Sequence, residues 1–104
     1  MNIFSIPKLP SQQEQIDILH QDRGIRIERI VSTGSVSDWY DQDEAEYVIL
    51  LEGNAMIEFE DYSRKEMSKG DTLFIAPHVR HKLSYTSKDP PCIWLCVFYR
   101  TGSK

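Results

Sequence analysis

Tyr47-Val48-Ile49-Leu50-Leu51-Glu52-Gly53-Asn54-Ala55-Met56-Ile57-Glu58-Phe59-Glu60 is the stretch in which the fold is most legible. Its first five residues are rich in β-formers that fit a pleated surface. Glu52-Gly53-Asn54 is a turn signal, and the residues from Ala55 to Glu60 alternate in polarity with the period of a half-buried strand. Strand, turn, strand is the predicted pattern.

The same pattern extends in both directions. Toward the N-terminus, Gly24 precedes Ile25-Arg26-Ile27-Glu28-Arg29-Ile30-Val31, where apolar and charged residues alternate until the final pair. Toward the C-terminus, Asp61-Tyr62-Ser63 suggests a hairpin, and Lys69-Gly70-Asp71 is a turn before the strand Thr72-Leu73-Phe74-Ile75-Ala76. Pro77 interrupts. Arg80-His81-Lys82-Leu83-Ser84-Tyr85 then resumes, with His81, Leu83 and Tyr85 expected on one face. Asp89-Pro90-Pro91 breaks the chain before a last strand over 92–99. Ser11-Gln12-Gln13-Glu14 has the form of a capping box, so 12–18 reads either as a short helix or, from Ile16 and Ile18, as a strand. The tail Thr101-Gly102-Ser103-Lys104 reads as frayed. Short strands about ten residues apart, separated by Gly and Pro turns, predict an all-β sandwich or barrel. One domain over 1–104 is expected, with the barrel over about 24–100 and an N-terminal arm over 1–23.

Composition narrows the function classes. The chain has 104 residues, 40% apolar and 27% charged, with a net charge of −4 and no dense Lys/Arg run, which argues against nucleic acid as a partner. Nothing approaches the roughly 18–20 apolar residues that span a bilayer, so no membrane partner is expected. Met1 to Pro7 lacks a basic n-region and a long apolar core, which makes the cytoplasm the expected location. Cys92 and Cys96, on one face of a strand, stand about 13 Å apart at roughly 3.3 Å per residue, too far to bridge each other, and read as small buried hydrophobes. Strands 45–51 and 92–99 are apolar on both faces. One face fills a barrel; the other requires cover, from a second copy in a homodimer or from the N-terminal arm. No nucleophile elbow or glycine-rich phosphate loop is present.

The turn glycines also fall into a recognisable spacing. Gly34, five residues, Tyr40, one, Gln42, three, Glu46, six, Gly53 resembles the first cupin motif, with Tyr40 and Gln42 in place of its two histidines. Gly70 and His81, eleven apart, resemble the second motif, with Ala76 at its Pro position, His78 at its second Gly position and Tyr85 at its Asn position. Sixteen residues separate the motifs, as in small microbial cupins. The resemblance covers 34–85 closely and implies a jelly-roll barrel, the double-stranded β-helix of cupins.

It also implies a site. Cupin ligands converge on a divalent ion inside the barrel, and the matching positions here are Tyr40, Gln42, Glu46 and His81. Glu46 and His81 keep strong ligand chemistry, and Gln42 offers an amide oxygen; the three form the expected metal set, for one divalent ion such as Zn, Fe, Mn or Ni. Tyr40 would have to lose a phenolic proton to ligate, and with Tyr85 and His78 it is expected to contact a small-molecule ligand. Parity places Glu46 with Val48 and Leu50, and His81 with Leu83, at the ends of apolar strand faces. A simple Glu46–His81 hydrogen bond or ion pair is the alternative to a metal. Three functions stay open: a metal-dependent cupin enzyme of oxygenase or isomerase type, a metal-free module binding a small, sugar-like molecule, and a mainly structural dimeric barrel with no accessible cavity.

Overall fold

In a computed structural model the described residues are 1–101, and their regular structure is entirely strand. The strands are β1 (Gln13–Asp22), β2 (Ile25–Thr33), β3 (Ala45–Glu52), β4 (Asn54–Phe59), β5 (Arg64–Ser68), β6 (Thr72–Ile75), β7 (His81–Thr86) and β8 (Cys92–Tyr99). No helix among the described residues is long and apolar enough to cross a membrane. The expectation of a frayed tail falls mostly on 102–104, which lie outside the described residues.

Two antiparallel sheets face each other. One has five strands in the order β1-β2-β8-β3-β6; the other has three in the order β5-β4-β7. The segment 12–18, open between helix and strand in the sequence, belongs to β1, which pairs with β2 from Gln13↔Thr33 to Asp22↔Ile25. Tertiary pairing along ten residues outweighs the local capping signal. β5 has a largely polar sequence with Met67 as its one buried residue, and it takes its strand conformation from β4 across the hairpin.

The core lies between the sheets. Val48, Leu50, Trp94, Cys96, Phe98 and Ile75 from the larger sheet meet Ala55, Ile57 and Met67 from the smaller one. Both cysteines are buried and free. Gly53 shows why this position in the β3–β4 turn is glycine. Its φ is +93°, and a Cβ there would stand 2.9 Å from the Cys92 Cα and 2.8 Å from the Ser87 Oγ.

The outer face of the larger sheet is covered on one side by the N-terminal arm. The Arg29 guanidinium, 3% exposed, donates to the carbonyls of Ile3 and Ser5 and to the Asp17 carboxylate. Val31 and Ile93 are buried on this side, outside the main core. Tyr47 and Phe74, farther across the same face, remain exposed.

β7 departs from simple alternation. Its Leu83 pairs with Ile57 and its Tyr85 with Met56, so two steps along β7 match one step along β4. The extra residue is a bulge, and it inverts the side-chain alternation beyond it. His81 is buried and Leu83 partly so, while Tyr85 turns outward and is 53% exposed. The expectation that Tyr85 shares a face with His81 and Leu83 is therefore corrected.

Candidate functional site

The site follows from strand register. On the inner face of the larger sheet, Arg26 pairs with Phe98 and Phe98 with Glu46, which pairs in turn with Ile75. Partners in a ladder share a face, so these four side chains form one row. The next row runs Ile18, Glu28, Cys96, Val48, Leu73. From the opposite sheet, Phe59 pairs with His81. Two buried ionisable groups distant in sequence, Glu46 and His81, thus face each other across the barrel.

Segment 35–40 joins the smaller sheet along the free edge of β7. Ser37 N donates to the Leu83 carbonyl, and Tyr40 and His81 exchange backbone hydrogen bonds in both directions. Thr86 Oγ1 donates to the Ser35 carbonyl. This edge pairing holds Tyr40 beside His81, with ring centroids 5.7 Å apart.

A cavity of about 280 Å³ results. Val48, Ile57, Ile75, Leu83, Trp94 and Phe98 supply its apolar wall, and its polar lining includes Glu14, Arg26, Glu28, Tyr40, Gln42, Glu46 and His81. A few convergent polar groups on an apolar concavity is the usual composition of a small-molecule site. An accessible cavity leaves no room for a barrel filled solid.

Within it, Glu46 Oε1 accepts a hydrogen bond from Gln42 Nε2 at 3.1 Å and stands 3.8 Å from His81 Nε2. Both side chains are at least nine-tenths buried. His81 Nδ1 lies 2.8 Å from the Val79 carbonyl, which can only accept, so Nδ1 carries a proton. In the neutral ring Nε2 is then an acceptor, as is the carboxylate opposite. Loss of hydration pushes the Glu46 carboxyl above its ordinary range, offset in part by Gln42 and His81. Burial likewise raises the Tyr40 phenol, with nearby carboxylates adding to the effect, so it stays protonated. The Cys96 thiol is pushed well up by burial and by Glu46, which leaves it an unreactive wall group.

The other sequence-predicted positions lie elsewhere. His78 is exposed on the turn after β6, with Nδ1 2.8 Å from Asp41 and Nε2 3.4 Å from Asp43. It pins the 41–43 loop and is not part of the cavity lining. Tyr85 is outside for the reason given above. Arg26, Glu28 and Glu14 had not been singled out in the sequence. The alternation of β2 signals a half-buried strand, and here the face carrying Arg26, Glu28 and Ile30 is the one turned to the cavity. Arg26 and Glu28, two apart and opposite in charge on one strand face, are the signal that could have found them.

A family model described as the cupin domain matches residues 28–98. This chain is a cupin. A protein from Ralstonia eutropha JMP134, provisionally named a mannose-6-phosphate isomerase, is 33% identical, with 97% of each chain covered and a TM-score of 0.90. A cupin superfamily protein from Desulfitobacterium hafniense DCB-2 is 16% identical over 91% of this chain and 84% of its own, with a TM-score of 0.80. KdgF from a Halomonas species is also 16% identical, over 85% and 82%, with a TM-score of 0.70. The latter two show a shared fold. No curated protein sequence matches the chain.

The expected divalent ion finds few donors in this cupin. Catalytic metal sites ordinarily supply three protein ligands. Here Glu46 and His81 are the two strong donors, Gln42 turns its amide nitrogen toward Glu46, and Tyr40 keeps its proton. Among the described residues no group of three His, Cys, Asp or Glu side chains is placed to hold an ion. The donor set does not fit a resident metal of the usual cupin kind.

Proposed function

We propose that this cupin binds a small polyhydroxylated molecule in its barrel and that Glu46 and His81 form a metal-free proton-transfer pair acting on it. One observation carries the reading: His81 Nε2 and Glu46 Oε1 face the same gap at 3.8 Å without a hydrogen bond between them, and with the imidazole neutral both are acceptors. Two adjacent acceptors are matched by a ligand with two adjacent donors, as a vicinal diol has. The raised carboxyl of Glu46 makes it a better proton acceptor near neutrality than an ordinary carboxylate. The His81 Nδ1–Val79 contact fixes the tautomer, so Nε2 takes or returns a proton without ring reorientation.

Thermal melting against a panel of sugars and polyols, in the presence of a chelator, tests the reading. A ligand at tenfold its dissociation constant adds about 1.4 kcal/mol, or roughly 5–10 °C for a domain of this size. Stabilisation that persists in chelator and is lost in both Glu46→Gln and His81→Gln is expected. Stabilisation that vanishes in chelator and returns with a divalent ion overturns it in favour of a metal-dependent site.

A further inference from the structure

The charges lining the cavity specify more than a polyol. Three carboxylates, Glu14, Glu28 and Glu46, line it against a single guanidinium, that of Arg26. Each nitrogen of the Arg26 guanidinium is engaged: Nε donates to Glu28 Oε2 at 2.7 Å, and Nη1 and Nη2 donate to the two oxygens of Glu44 at 3.0 and 3.2 Å. Its guanidinium also lies 4.3 Å over the Phe98 ring. An anionic ligand would have to break this bidentate clasp and then sit among the remaining carboxylates. Glu14, at the exposed rim, has no ion-pair partner among the described residues. Glu46 has only the His81 ring beside it, 3.8 Å away and without a hydrogen bond, and His81 Nε2 lines the same space. The carboxylates are too dispersed to chelate an inorganic cation, since no three of them come together. A single organic ammonium needs only one of them, and Glu14 at the rim is the one left without an ion-pair partner.

We propose that the barrel selects a ligand carrying a protonated amine on a hydroxylated carbon chain, and that it discriminates against phosphate esters of the same chain. The proposal rests on the reading of the cavity as a polyol site and adds the sign of the ligand's charge. The amine sits toward Glu14, and the hydroxyls toward Glu46 and His81.

Three probes of equal chain length test it: glucamine, sorbitol and sorbitol 6-phosphate, titrated calorimetrically into the full chain at pH 7.5 and low salt. Glucamine should bind about fivefold more tightly than sorbitol, the upper end of what an ion pair at a partly exposed position supplies. Sorbitol 6-phosphate should bind more weakly than sorbitol. In Glu14→Gln, at an exposed position with little bearing on folding, the advantage of glucamine over sorbitol should shrink several-fold. Sorbitol 6-phosphate binding as tightly as glucamine, or glucamine matching sorbitol, overturns the charge assignment and leaves the polyol reading standing. Failure of all three to bind at millimolar concentration removes both.

Discussion

Arg29→Met should loosen one wall of the cavity from outside the cavity. Methionine keeps much of the aliphatic stem, so the change isolates the guanidinium and its hydrogen bonds. In the native chain that group makes two bonds to Asp17 Oδ2, at 2.7 and 3.2 Å, and reaches the carbonyls of Ser5 at 2.8 Å and Ile3 at 3.3 Å. Asp17 is partly exposed and rehydrates when left alone, so its share is about 1 kcal/mol. The two carbonyl bonds contribute about 1 kcal/mol each, for a total of about 3 kcal/mol. At roughly 4–8 °C per kcal/mol for a domain of this size, the melting temperature should fall by about 15 °C. Arg29 also holds Asp17 below the ordinary carboxylate range by hydrogen bonding. A depressed folded-state pKa stabilises above the unfolded value, near 3.9, and that stability is lost as pH falls through the folded value. The gap between native and variant proteins should therefore be full at pH 7 and narrow below about pH 4. Melting by circular dichroism across pH, with limited proteolysis of residues 1–10, reads both effects. A fall of less than about 4 °C with the arm still protected would refute the assignment of Arg29 as the clasp.

Glu46→Gln should stabilise the protein at pH 8, by about 1 kcal/mol, because it removes a buried charge whose pKa is raised in the folded state. A raised carboxyl favours folding at low pH, so the advantage should fade as pH drops below the folded value; melts from pH 5 to 8 showing a less stable variant at pH 8 would contradict this. Gly53→Ala should cost more than about 2 kcal/mol in urea denaturation, since its Cβ would meet the backbone of Cys92 at a positive φ; a neutral result would mean the turn can shift. Tyr85→Ser should leave stability within about 0.5 kcal/mol and ligand binding intact, and loss of binding would put Tyr85 back at the site. Cys92 and Cys96 should resist alkylation in the native state, as read by mass spectrometry, because both are buried and burial raises both thiols.

The strands that alternate or run apolar, 25–31, 45–51, 55–60, 72–76 and 92–99, were readable because each repeats the two-residue period in its own composition. The opposition of Glu46 and His81 was readable through parity, since both begin apolar strand faces. Tyr85 was misread because a bulge is a property of the β4–β7 ladder, and nothing in His81-Lys82-Leu83-Ser84-Tyr85 marks the extra residue. β1 was ambiguous because its capping signal is local while its pairing to β2 is not. Glu14, Arg26 and Glu28 went unnoticed for a different reason. Charged residues on an alternating strand normally mark solvent, and only the closure of the two sheets turns that face inward.

The backbone exchange between Tyr40 and His81 has a consequence for how such a barrel can change its ligand. Residues 41–44 connect that anchored point to β3 and carry Gln42 and Glu44, yet none of them lies in a strand or in the hydrophobic core. Insertions and substitutions there would retune what enters while the imidazole keeps its position. The architecture thereby separates the part free to diversify from the part that must stay put.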